Sequence, residues 1–123
     1  MSNVSESQNP IVLIEQPITL AELKKIAEKT FGDMVKAVVD IEGKAMAVGG
    51  ELHADEEAFL LERGSQQLNL WGINIYVDKP TQEWIEFDSM INIRPSQGNR
   101  SRFIEDENIR KIILDIANNL IKE

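Results

Sequence analysis

The sequence predicts an α+β domain: a mainly antiparallel sheet of about five strands, in the order β-α-β-β-α-β-β-α, with its helices packed on one face. Three observations lead there. Two pairs of alternating apolar segments are each joined by a short turn-forming connection, and strands so joined pair as antiparallel hairpins. A short apolar run and a capped helix precede them. The last segment is an amphipathic helix whose apolar stripe needs a sheet to pack on.

Residues 1 to 10, MSNVSESQNP, carry no apolar pattern and read as a disordered tail, too poor in apolar surface to offset the entropy of ordering. A single domain is expected over residues 11 to 123. Ile11 to Ile14 form a short strand that ends before Pro17, a residue with no N–H for a ladder. Thr19 and Glu22 make a capping box, Ile18 and Leu23 stand at the staple positions, and Leu20, Leu23, Ala27 and Phe31 keep helical spacing up to Gly32. Val35, Ala37, Val39 and Ile41 alternate with Lys36, Val38 and Asp40, and Glu42-Gly43 turns the chain into Ala45 to Val48. Gly49-Gly50 breaks that strand. Asp55-Glu56-Glu57 opens a short helix, its acids complementing the positive end of the helix dipole, and Arg63-Gly64 closes it. Trp71, Ile73, Ile75 and Val77 alternate along the next strand. The connector DKPTQE then loops into a final strand from Trp84 to Arg94, stopped by Pro95. Ile109, Ile112, Ile113, Ile116, Ala117, Leu120 and Ile121 form the stripe of the last helix.

At 123 residues the chain is long enough to bury one core without a disulfide or structural metal. It has no cysteine, which excludes thiolate metal sites, redox motifs and cysteine nucleophiles. Its start lacks the cationic and apolar regions of a signal peptide, and no apolar run approaches the roughly 20 residues that span a bilayer. The reading is a cytoplasmic protein with no membrane partner. A net charge of −8 repels phosphate backbones and disfavours general nucleic-acid binding.

Three blocks stand out: GGELHADEE at Gly49 to Glu57, LWGINIY at Leu70 to Tyr76, and EFDSMINIRPSQGNRSR at Glu86 to Arg102. In these the chain resembles a family of small uncharacterised bacterial and archaeal proteins classed as a domain of unknown function, over about Ile11 to Ile121. The resemblance implies one compact domain and assigns no catalytic residue.

Candidate chemistry therefore rests on the residues. Three of the chain's five arginines, Arg94, Arg100 and Arg102, lie in nine consecutive residues without a carboxylate. Guanidinium forks match phosphate or carboxylate oxygens, and Ser96, Gln97 and Asn99 add donors. On the preceding strand, alternation places Glu86, Asp88, Asn92 and Arg94 on one face. Asn92 and Asn74 are unusual in strands and fit a hydrogen-bonding pocket floor. The competing account pairs the arginines internally with Glu86, Asp88 and the acidic short helix. Glu51, His53 and Asp55, at i, i+2 and i+4, share a face if the backbone is extended and would make a divalent-metal clip with Glu86 or Asp88. Alternatively Asp55 caps the short helix and the sole histidine bonds locally. Serine nucleophiles lack a supporting motif. Trp71, Trp84 and Tyr76 suit either core packing or stacking on a base or sugar.

The reading that follows is a small domain binding an anionic small molecule or an acidic protein segment at the arginine-rich loop. One alternative is a metal-assisted hydrolase using Glu51, His53, Asp55, Glu86 and Asp88. The other is a protein-interaction module, with a homodimer as one form.

Overall fold

The computed structural model describes residues 11–123, and the tail expected over residues 1–10 lies outside them. Five strands form one antiparallel sheet: β1 (Val12–Ile14), β3 (Met34–Asp40), β4 (Ala45–Val48), β5 (Leu70–Tyr76) and β6 (Ile85–Glu86), in the spatial order β1-β4-β3-β5-β6. The helices are α1 (Leu20–Glu28), α2 (His53–Glu62) and α3 (Glu107–Leu120). The α+β class and the five-stranded antiparallel sheet are as the sequence predicts. A second, two-stranded parallel patch pairs β2 (Ile18–Thr19) with β7 (Ile121–Lys122), so Ile121 ends in a strand and not on the helical stripe. Among the described residues, no helix is long and apolar enough to cross a membrane.

Helix α1 begins where its capping box requires. Thr19 Oγ1 accepts the Glu22 N–H at 3.1 Å and Glu22 Oε1 accepts the Thr19 N–H at 2.9 Å. Its regular turns end at Glu28, and Gly32, at φ 93°, closes the exit with its N–H on the Ala27 carbonyl at 2.8 Å. Phe31, expected on the apolar stripe, falls in that turn and stays 42% exposed. The hairpin between β3 and β4 is fixed by Asp40, whose Oδ1 accepts the N–H groups of Glu42 and Gly43.

Alternation sorts the sheet's side chains into two layers. Val35, Ala37 and Val39 of β3, Met46 and Val48 of β4, and Trp71, Ile73 and Ile75 of β5 face α1 and α3, where Leu23, Ala27, Ile113, Ile116 and Ala117 complete the main core. The opposite face carries a smaller apolar cluster of Val38, Ala47 and Leu70, covered by Leu60 of α2. The expectation that all helices gather on one face therefore holds for α1 and α3 and not for α2. The reason is that β4 is apolar on both faces and β3 adds Val38 beside Ala47 on the outer one, so that part of the second face needs cover as well.

The largest departure from the sequence reading lies at Trp84 to Arg94. This segment pairs as a strand only at Ile85–Glu86, then turns through tight helical turns at Met90–Asn92 and Pro95–Gln97, with single bridges at Asp88–Phe103 and Arg94–Asn99. Ile85 and Phe87 do pack on the main core, Ile91 packs on the small cluster, and Ile93 is 39% exposed. What ends the strand is Asn92. Its Oδ1 accepts the Gly72 N–H at 2.8 Å and its Nδ2 donates to the Gly72 carbonyl at 2.9 Å, so one side-chain amide replaces a residue's worth of backbone ladder on β5. The approach depends on Gly72, where a Cβ would stand 2.6 Å from that of Ser89.

Candidate functional site

Helix α2 covers only part of its face of the sheet. Beside its N-terminus the uncovered part forms a cleft of about 490 Å³. The floor follows from strand register: Lys36 of β3 pairs with Asn74 of β5, which pairs with Glu86 of β6, so three polar side chains form a row across three strands. Tyr76, Asp88, Arg102 and His53 line the cleft around this row, and Met34, Leu52, Met90 and Ile91 give it apolar walls. Leu52 and Met90 are 55% and 64% exposed at its lip.

The row is held in a defined orientation. Asn74 Nδ2 donates to Glu86 Oε1 at 2.9 Å and to the Asp88 carbonyl at 3.3 Å, and the Tyr76 hydroxyl donates to the same Glu86 oxygen at 2.9 Å. The bond to Glu86, followed by burial, pushes the Tyr76 phenol up. Asn74 is buried, and its Oδ1, on the opposite side of the amide from β6, has no hydrogen-bond partner among the described residues. An unsatisfied buried acceptor costs about 1 to 3 kcal/mol, which makes this atom the exception on the floor.

His53, the first residue of α2, is also buried, and its Nε2 lies 2.7 Å from the Ile73 carbonyl. A carbonyl only accepts, so Nε2 carries the proton and the lone pair of the neutral ring is on Nδ1. Burial holds this imidazole below its usual pKa, opposed by the bond to Ile73, and the ring is neutral at pH 7. Beneath the same helix turn, Glu56 is fully buried, its Oε2 accepting the Gly50 N–H at 2.9 Å and its Oε1 unpartnered. Desolvation pushes its carboxyl up to about 9, so it is protonated at neutral pH. A Cβ on Gly50 would come within 3.0 Å of Glu56 Cγ. The GGELHADEE block is therefore built around a buried carboxyl.

The predicted metal clip is not brought together. Because α2 starts at His53, residues 51 to 55 are not extended, and Glu51 and Asp55 are exposed while His53 is buried. No group of three or more His, Asp or Glu side chains among the described residues is arranged to hold a metal ion. Asp55 does not cap the helix either: Leu52 is the N-cap residue and has no side-chain bond. Of the five residues of the hydrolase alternative, His53, Glu86 and Asp88 do line the same cleft.

The arginine loop divides. Arg94 is buried, donating through Nε to the Ile91 carbonyl at 3.0 Å, through Nη1 to that of Gln67 at 2.8 Å, and through Nη2 to that of Leu70. Its Nη2 lies 3.4 Å from the Glu57 carboxylate, and its guanidinium lies over the Trp71 ring at 4.8 Å. Burial pulls the Arg94 pKa down, with Glu57 opposing. Arg102 makes a two-pronged pair with Asp88, Nε to Oδ1 and Nη2 to Oδ2, both 2.9 Å, on the cleft wall, and this bond raises its pKa. Arg100 is exposed, its backbone N–H donating to Glu105. The loop has no carboxylate in sequence, yet Glu57, Asp88 and Glu105 reach it in space.

Asn99 is a second buried hub. Its Nδ2 donates to the carbonyls of Asn92, Ser101 and Phe103, and its Oδ1 accepts the Glu105 N–H. Ser96 and Gln97 are exposed, with Gln97 turned to the Leu68 carbonyl. Of the ligand-binding residues expected from sequence, Asn74 and Arg102 stand in the cleft, whereas Asn92, Arg94 and Asn99 hold the loop together. Trp71 and Trp84 are core residues at 2% exposure each. Lys36 was missed. Its place on the outer face of β3 was readable from alternation, but the cross-strand register that sets it beside Asn74 was not.

The molecule is thus a five-stranded antiparallel α+β domain, covered on both faces, with a polar cleft beside α2. The chain belongs to the family described as a protein of unknown function (DUF5674), whose model matches residues 12–120. No curated protein and no solved structure matches it.

Proposed function

We propose that this domain binds a small polar molecule in the cleft beside α2, in place of an anion on the arginine loop alone. The observation that carries the reading is the row Lys36-Asn74-Glu86 across three strands, inside a cleft whose lip is apolar. Sites of this kind bind by a few placed polar groups within an apolar surround. The internal partners of Arg94 speak against a ligand there, while Arg102 remains a wall residue of the proposed site. The proposal keeps the cytoplasmic placement expected from the sequence.

The test is a screen of small polar fragments by protein-observed NMR, with hits repeated on Asn74→Ala. Shifts clustered at Met34, Lys36 and Met90 and weakened in the variant are expected. Hits that map elsewhere and ignore the substitution would sink the reading.

A second reading has one observation in its favour: His53, Glu86 and Asp88 share the cleft, so a neutral imidazole and two carboxylates are available for proton transfer to and from a bound molecule. It expects turnover of a cleft ligand that His53→Gln abolishes while binding persists.

A further inference from the structure

We infer that the cleft selects a short zwitterion of dipeptide dimensions, its carboxylate toward Lys36 and its ammonium toward Glu86. This inference rests on the cleft reading above and specifies its ligand.

Not every charged side chain of the cleft is paired within the protein. Arg102 and Asp88 satisfy each other through both prongs, and although Arg102 also feels the field of Glu86, its paired N–H groups go to Asp88. His53 and the underlying Glu56 are both neutral at pH 7. Lys36 has no carboxylate within 4.0 Å among the described residues, and its ammonium sits 5.4 Å from the centre of the Phe31 ring. Glu86 is likewise in no ion pair among them; Asn74 and Tyr76 both bond its Oε1 and so orient the carboxylate. One cation and one anion are thus left in the cleft, on the outer strands of a three-strand row.

Geometry then sets the size. Neighbouring strands lie about 4.8 Å apart, so the Lys36 and Glu86 backbones are separated by roughly 10 Å across the row. An extended dipeptide spans about 7 Å. A simple anion would leave Glu86 facing it, and a simple cation would face Lys36; a molecule with opposite charges at its two ends answers both. Leu52 and Met90 at the lip suit an apolar side chain.

The experiment is calorimetric titration of the full chain with three probes: alanyl-leucine, its N-acetyl derivative without the cation, and its C-terminal amide without the anion. The zwitterion should bind at least tenfold more tightly than either capped form. Lys36→Met should weaken alanyl-leucine at least tenfold yet leave the amide unaffected, and Glu86→Gln, which keeps the acceptor for Asn74 and Tyr76, should do the same with the N-acetyl form as the insensitive probe. Unchanged NMR spectra of both variants away from the cleft control for folding. Equal binding of all three probes, or indifference of the zwitterion to both substitutions, overturns the inference; if that binding still weakens in Asn74→Ala, the cleft reading survives without it. No binding of any probe also overturns it, while hits from the fragment screen would keep the wider reading alive.

Discussion

Glu56→Gln is the substitution whose effect can be worked furthest from the structure. The carboxyl is fully buried, accepts only the Gly50 N–H, and titrates near 9 against a usual 4.5, chiefly from desolvation, with Gly50 and Lys36 pulling down and Asp55 pushing up. A folded-state pKa above the unfolded one means that the native state holds the proton more tightly. The stability this group contributes is therefore fully present below pH 4.5, is lost steadily as pH rises, and is gone above about pH 9. Within that window each pH unit lowers the folding constant about tenfold, so the wild type should lose about 3 kcal/mol through Glu56 between pH 5 and 7. Glutamine keeps an acceptor for Gly50 and cannot ionise. Urea denaturation at pH 5, 7 and 9 on both proteins isolates the effect, because every other titrating group is common to them. The variant should match the wild type near pH 5 and exceed it increasingly above. Parallel stability curves for the two proteins would refute the reasoning and show Glu56 to be hydrated or ionised in the native state.

Two further expectations concern the segment after β6. Arg94→Lys keeps the charge but cannot reach the Gln67, Leu70 and Ile91 carbonyls together, and each charge-assisted hydrogen bond lost should destabilise by about 1.5 to 3 kcal/mol in urea unfolding; an unchanged midpoint would return Arg94 to the list of ligand-binding residues. Asn92→Leu, similar in volume but unable to bridge, strands the Gly72 N–H and C=O, each costing about 1 to 3 kcal/mol if left bare. Faster hydrogen exchange at the Gly72 amide is the direct readout, and unaltered protection there would show that the amide bridge does not hold β5.

What could be read from the sequence was local. The Thr19–Glu22 box lies within four residues, the Asp40 turn within four, and the buried faces of β3 and β5 follow from their own alternation. What could not be read depends on partners distant in sequence. Ile85 to Ile93 satisfies a strand pattern, and the reason it is not one is a contact between Asn92 and Gly72, 20 residues apart. Alternation put Glu86 and Asp88 together correctly, since β6 and the first residues beyond it stay extended enough to bring both to the cleft. It failed for Asn92 and Arg94 once the chain had turned. The arginine loop looked free of carboxylates because Glu57 comes from α2 and Glu105 from the approach to α3. Glu56 looked like a helix-dipole residue, and only the position of α2 over Gly50 makes it a buried acid.

The amide of Asn92 also decides how this sheet can meet another protein. A strand edge offers a repeating row of donors and acceptors that any incoming chain can copy, and long edges invite such addition. Here one flank ends after two residues of β6, and the next backbone positions on β5 are sealed by a side chain, which offers no continuing register to a newcomer. The other flank is β1, three residues long, whose one sheet partner among the described residues is β4. Growth of the sheet by a second chain would therefore have a direction, proceeding from the β1 side and away from the cleft, so that a complex formed in this way would leave the polar row open.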